Sequence, residues 1–564
     1  MILQRGDGTG FTRYPFAGFR ARHRLAGGPF PARVVHRTVD QFSTRRPSLR
    51  VTRRPPPLLL LSAAIVSLAV LLPLIYLVIR AAGASGGVWV YLLKPSTLAV
   101  LGRTLLLVGG VSVASVILAL PIAFLTTRTS LPGRRLWFIL AVLPLVIPSY
   151  VGAYTYVSAF APGGLISGWL GIRLPVYGFW GALIVLTLST YPYLLLTLRA
   201  GFNGIDGGLE EASRSLGRSP LITFVRVTLP LLRPALAAGI LLVALYVLSD
   251  FGAVSMLRYS TFTRAIYVQY ENSFNRSNAA ALGLMLVAFS GLVLLLDARL
   301  RGRGRISRSG VGGARQLTSS PLGRWHVPSL TMLAATVLLG LVAPLAIIAT
   351  WFLRGLASDR PLLFEWGPIL NATGASLVAA GVVVVAAIPV AVLAVRFPSK
   401  LSAALERLSY LGYALPGIVV ALSLVFFSLR FTPWVYQSYG LLIFAYALLF
   451  LPQAVGNLRA TLLQVSPHLE EAARGLGRSP LRVLFEVMVP LVRVGLITSA
   501  MMVFLTTMKE LPATLLLRPT GFDTLATRVW SWSEEAFFAQ AAPFALLLVA
   551  VSSVSVAILL AQER

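Results

Sequence analysis

Few groups in this chain could do chemistry. Asp250, Lys509 and Glu510 are ionisable residues set within otherwise apolar runs, where a charge is costly and marks function by default. Asp250 and Glu510 stand at equivalent positions of an internal repeat, so both would lie near a common axis if the two copies pack face to face. Their hard carboxylate oxygens would suit a hard cation in transit along a path between the copies. Two other roles remain open for them: Lys509 pairs with Asp250 or Glu510 and fastens the copies together, or the three touch a partner at the outer interface. Tyr150, Tyr154 and Tyr156 offer phenol oxygens to a cation, or an aromatic belt at a membrane boundary. Glu534 and Glu535 suit a basic patch on a partner, or plain solvation.

All of these are binding chemistries, and covalent machinery is missing. With no Cys, thiolate nucleophiles, thiolate metal sites and disulfides are excluded. His23, His36, His326 and His468 are scattered without ligand spacing, so no metal site is expected. A phosphate-cradling loop needs Gly-x4-Gly-Lys-Ser/Thr. The only lysines, Lys94, Lys400 and Lys509, are followed by Pro, Leu and Glu. The chain is therefore expected to hydrolyse no ATP and to bind no cofactor. Asp250-Phe251-Gly252 matches a kinase tripeptide in letters only, without any other kinase element.

The elements that position these residues follow from composition. Of 564 residues, 57% are hydrophobic and 12% charged, with a mean hydropathy of +0.80. Soluble domains carry about 25% charged residues, so a polytopic membrane protein is expected. About 20 apolar residues cross a bilayer as a helix. Twelve such segments are read: Leu58–Ile79, Leu98–Thr126, Leu136–Phe160, Val176–Leu198, Pro234–Leu257, Asn278–Leu296, Leu330–Leu353, Ser376–Val395, Leu408–Leu429, Tyr439–Leu458, Val494–Leu517 and Ala539–Leu560. The runs are continuous and do not alternate, which excludes a spanning β-barrel.

The net charge of +30 is a topology signal. Residues 1–57 and every second loop hold 35 of the 49 Lys and Arg, while the six intervening loops hold 12. Positive charge marks the cytoplasmic side. Both termini are expected there, in a cell (inner) membrane, and nucleic acid is not expected as a partner. Four regions result: a disordered, membrane-attracted Arg-rich tail over 1–57, a membrane repeat over 58–297, a cytoplasmic linker over 298–329, and a second membrane repeat over 330–561.

The repeat is offset by 260 residues. Leu209–Leu236 (LEEASRSLGRSPLITFVRVTLPLLRPAL) and Leu469–Leu496 (LEEAARGLGRSPLRVLFEVMVPLVRVGL) share 16 of 28 positions without gaps. Six spans per copy make the repeat parallel, enclosing a path between its halves. Within each copy Glu210 and Glu211, or Glu470 and Glu471, favour the positive end of a short helix. Gly217 or Gly477 supplies a left-handed stop. Ser219-Pro220 or Ser479-Pro480 then opens a second helix, expected to end near Pro230 or Pro490. Each copy reads as a rigid knob on the cytoplasmic side.

These residues resemble a known family. Glu211-Ala212-Ser213, Gly217, Val227 and Leu229-Pro230, with Glu471-Ala472-Ala473, Gly477, Val487 and Val489-Pro490, are similar to the EAA loops of binding-protein-dependent ABC importer permeases. Lys509-Glu510-Leu511-Pro512 through Ala526, and Ser249-Asp250-Phe251-Gly252-Ala253 through Thr263, look like the fused permeases of ferric-iron uptake. The resemblance implies an all-α permease of twelve helices whose EAA loops each dock on a copy of a separate cytoplasmic ATPase, two in all. It implies a substrate-binding protein outside, alternating access within the bilayer, and iron(III) as cargo. Thiamine, phosphonate and polyamine permeases share the loop. A proton-coupled secondary transporter would share the twelve spans but has no use for two such loops.

Overall fold

The computed structural model describes residues 55–83, 87–171, 175–272, 276–300, 322–358, 362, 364–479 and 482–562. Most of the expected tail, and the expected linker from 301 to 321, lie outside the described residues. The rest is helix. Lipid offers no hydrogen bonds, so each apolar segment must satisfy its own backbone, and the helix does so within one segment.

Eight single helices are long and apolar enough to cross a bilayer: α2 (Pro95–Arg128), α4 (Phe179–Gly204), α5 (Pro220–Ser249), α6 (Ser277–Leu296), α7 (Gly323–Leu356), α8 (Trp366–Arg396), α10 (Tyr439–Gln464) and α11 (Glu486–Met508). Three bent pairs add α1 (Pro57–Ala69 with Leu72–Ala82), α3 (Arg134–Val146 with Ser149–Gly168) and α9 (Lys400–Ala414 with Gly417–Phe431). The last, α12, is Phe538–Gln562, with a shorter apolar stretch over Phe538–Val554. Each matches one expected segment, and together they are an all-α polytopic array in two repeats.

Two expectations about the spans need correction. α3 and α9 are broken rather than continuous, by 89° and 103°. In each, the residue before a proline is extended, Ile147 (ψ 113°) before Pro148 and Leu415 (ψ 108°) before Pro416. The proline ring clashes with a helical predecessor and forces this geometry. Likewise α5 and α11 stop at Ser249 and Met508 instead of reaching Leu257 and Leu517. Short helices, Gly252–Met256 and Pro512–Leu517, follow each stop. Asp250 and Glu510 take backbone N–H groups of those short helices, and this local capping competes with helix continuation.

The repeats do not simply face each other; they interlock. α2, α4 and α5 pack together, as do α8, α10 and α11, but α1 packs on α8 and α9 while α7 packs on α3 and α12. Polar ties mark the exchange. Tyr76 donates to the Phe426 carbonyl (3.1 Å) and Ser423 to the Pro73 carbonyl (2.8 Å). Tyr156 donates to the Leu339 carbonyl (2.6 Å) and Tyr154 to the Phe538 carbonyl (2.8 Å). Two cores result. One joins Leu107, Leu186 and Leu257 to Leu333, Ile348 and Phe544 of the other repeat. The second joins Leu77 and Leu286 to Val383, Val425 and Leu458.

Candidate functional site

The glycine turn of each knob is built the same way. In the first, Asp206 accepts the Gly208 N–H (3.0 Å) and opens the helix Gly207–Ser215. Gly217 then adopts φ +76°, donating to the Arg214 carbonyl (2.9 Å), while Arg218 N–H reaches the Ser213 carbonyl (3.4 Å). In the second, Gly477 adopts φ +80°, with bonds to Arg474 (2.9 Å) and from Arg478 to Ala473 (3.2 Å). This double bond satisfies the last orphan carbonyls of the helix and needs a left-handed residue. A Cβ at either glycine would meet nothing within 4 Å, so backbone strain alone selects glycine.

Beyond the turn, Ser219 accepts the Ile222 N–H (3.4 Å) with Pro220 at the first helical position. The expected ending near Pro230 and Pro490 is not seen. The helix instead widens into π-turns at Phe224–Thr228 and Val483–Met488 and runs on into α5 and α11. A wider turn accommodates a proline that has no N–H to give, without ending the helix. The first knob is thus continuous with the helix that ends at Ser249, and the described part of the second, from 482, runs on to Met508.

The paired acidic residues divide. Glu210 is buried, accepts from Thr228 (3.1 Å) and lies 3.7 Å from the Arg128 guanidinium. Glu470 lies 2.6 Å from Arg396. Their neighbours turn outward: Glu211 is half-buried, whereas Glu471 is exposed beside His468 (3.4 Å). Ala212 and Ala472 are exposed. At the tips Leu216 and Leu476 are 78% and 85% exposed, large apolar side chains left bare on both knobs.

Arg128 and Arg396, the basic partners of Glu210 and Glu470, are site residues that sequence reasoning missed. Each is the last residue of its helix, α2 or α8. A signal was available: Pro121 and Arg128, and Pro389 and Arg396, share one spacing at an offset of 268. That register differs from the 260 of the knobs, which concealed it.

The charged residues of the apolar runs are held by hydrogen bonds. Asp250 is buried; one carboxylate oxygen accepts from Ala253 (3.1 Å) and Val254 (3.2 Å), and the other accepts from Ser149. Glu510 accepts from Ala513 (3.1 Å). Each acid therefore caps a short helix next to a broken span. Lys509 pairs with neither carboxylate. Its ammonium donates across the repeats to the Leu145 carbonyl (3.3 Å), just ahead of the break at Pro148. Tyr150 is buried with its phenol unpartnered, whereas Tyr154 and Tyr156 are the inter-repeat ties described above rather than a belt.

At the other end of the spans, Asp523 is flanked by Arg518 and by Arg528 (3.3 Å), and Arg528 also holds Glu365. Glu534 and Glu535 are exposed. Though Glu534 is exposed overall, partial desolvation of its carboxyl, then the charge of Glu271, raises its pKa from the ordinary value. His326 and His468 stand apart, while His23 and His36 lie outside the described residues. Among the described residues no three His, Asp or Glu side chains converge as metal ligands.

Two interlocked membrane repeats, each carrying an identically turned knob and a broken span, define the membrane-embedded subunit of a transport system. The chain belongs to the family described as the binding-protein-dependent transport system inner membrane component, whose model matches residues 112–305 and 383–564. It is 35% identical to the Fe(3+)-transport system permease protein FbpB 2 of Haemophilus influenzae, over 90% of this chain and 98% of that one. It is 25% identical to the ferric transport system permease protein FbpB of Actinobacillus pleuropneumoniae, over 80% of this chain and 69% of that one. The molybdenum transport system permease protein ModB of Escherichia coli matches at 31% over 36% of this chain and 93% of its own length. That last match corresponds to no more than one repeat.

Proposed function

We propose that this permease is the path-forming subunit of an ATP-driven importer and that its cargo is iron(III). The observation that carries the mechanism is the pair of knobs: rigid, glycine-turned, tipped with bare Leu216 and Leu476, and each built into a membrane helix. Two copies of a separate ATPase dock there, one per knob, against Glu211, Ala212, Glu471 and Ala472. A substrate-binding protein delivers cargo at the opposite face. The excess of Lys and Arg on the knob side supports a cytoplasmic position for knobs and both termini. Closure of the ATPases draws the knobs together. Because Pro220–Ser249 is one helix through the π-turn, that displacement reaches Asp250 in the first repeat, and α11 carries it to Lys509-Glu510 in the second.

Iron as cargo rests on the full-length likeness to the Haemophilus influenzae ferric permease. Asp250, Lys509 and Glu510 lie beside the breaks in α3 and α9, where the two repeats meet. Irregular backbone at membrane depth is tolerated only inside protein or along a cavity, which supports a path between the repeats at these breaks. The acids act there by holding the path's walls. The test is uptake of ferric ion by proteoliposomes holding this chain, its ATPase and its binding protein. ATP-dependent accumulation that vanadate stops supports the reading. Uptake that a protonophore collapses and ATP does not drive rejects it.

A further inference from the structure

We propose that Arg128 and Arg396 are the residues that pass the knobs' displacement into the bilayer, so that the stroke enters through α2 and α8 as well as through α5 and α11. This rests on the ATP-driven reading above. Each arginine closes its helix and reaches two other elements. Arg128 donates to the Phe202 carbonyl (2.8 Å) and the Ile205 carbonyl (3.4 Å), at the end of α4, and faces Glu210 of the knob at 3.7 Å. Arg396 donates to the Val465 carbonyl (3.2 Å), at the end of α10, and faces Glu470 at 2.6 Å. All four side chains are at most 14% exposed.

The chemistry suits force transfer. The carbonyls at the ends of α4 and α10 carry partial negative charge, and the Phe202 carbonyl accepts from Arg128 as well as from the Ile205 N–H (3.3 Å). A guanidinium can bond them and a carboxylate together, because its donors form a fixed planar fork. Three elements thereby meet at one corner, through hydrogen bonds to the ends of α4 and α10 and ion pairs to the knobs. The knob helix cannot tilt without moving the ends of α2 and α4, or of α8 and α10. The same corner recurs in both repeats from a shared sequence spacing, although the second knob is braced at its tip by an Arg478–Glu486 pair (2.8 Å) where the first has Ser213 against Thr223 (3.0 Å). α8 in turn supports α1, so displacement at Arg396 reaches the interlocked helix of the first repeat.

The test uses the complete complex of chain, ATPase and binding protein in proteoliposomes, reading ferric ions moved per ATP hydrolysed. Arg128→Gln and Glu210→Gln should each leave the ATPase bound and hydrolysis within about twofold, while ions per ATP fall at least tenfold. The double variant should be no worse than either single, because both remove the same linkage. Arg396→Gln with Glu470→Gln should repeat the pattern. Where a glutamine variant fails to accumulate, Arg128→Lys or Arg396→Lys keeps the charge without the fork and should lower ions per ATP about threefold. Three results would overturn the inference: unchanged coupling, additive losses, or ATPase binding, hydrolysis and uptake declining in equal proportion. Absence of ATP-driven uptake by the unaltered complex would instead reject the reading on which it rests.

Discussion

Gly217 and Gly477 show how little chemistry the proposed docking site needs. Both hold a left-handed conformation with open space where a side chain would go. A Cβ there costs roughly 1–2 kcal/mol through backbone strain alone. Gly217→Asn, which tolerates the left-handed region, should therefore leave ATPase binding near normal, while Gly217→Val should weaken it about tenfold; a binding titration with the purified ATPase distinguishes them. Asp250 is a different kind of residue. Its carboxylate takes two backbone donors and Ser149, so Asp250→Ala should destabilise the detergent-solubilised protein by about 1–2 kcal/mol, the usual cost of losing a cap. Asp250→Asn keeps an acceptor and should cost less. Thermal unfolding of the two variants gives the comparison, and equal loss in both would assign the residue to its charge.

At the scale of elements, the eight membrane-length helices and three bent pairs were legible because a long apolar run has only one way to satisfy its backbone in lipid. The knobs were legible too, since acidic residues, glycine and Ser-Pro each fix a different step of a helix–turn–helix. The breaks in α3 and α9 were not. Proline inside a membrane helix permits either a kink or a full break, and neighbours decide which. The early stops of α5 and α11 were hidden for a related reason: Leu257 and Leu517 are as apolar as the residues before them, and only the capping by Asp250 and Glu510 ends the helix. The inward turn of Glu210 and Glu470 was harder to read, because their arginines repeat at an offset of 268 rather than 260. At Pro230 the π-turn is the testable element. Pro230→Ala restores an N–H that can close the widened turn into ordinary α-helix, so slower backbone hydrogen exchange is expected over Phe224–Thr228. Unchanged exchange there would remove proline as the cause of the π-turn.

Across the whole molecule, the decisive fact is the exchange of helices between repeats. Lipid-facing and partner-facing apolar residues look alike in sequence, so nothing in the chain announced that α1 would pack on α8 or α7 on α3. The consequence is that neither repeat owns a complete core: Leu333, Ile348 and Phe544 fill the first, and Leu77 and Leu286 the second. Expressed alone, residues 1–304 should be degraded rapidly in the membrane, and co-expression with residues 305–564 should restore a stable complex that copurifies. Stable accumulation of either half alone would contradict the interlocked packing.

The central claim is that both knobs face the cytoplasm and each receives an ATPase. Because the chain has no cysteine, Leu216→Cys and Leu476→Cys introduce unique probes at the bare tips. In inverted membrane vesicles stripped of ATPase, a membrane-impermeant maleimide should label both positions, and added ATPase should protect both. Labelling from the outer face only, or labelling that the ATPase leaves untouched at either tip, would contradict the account.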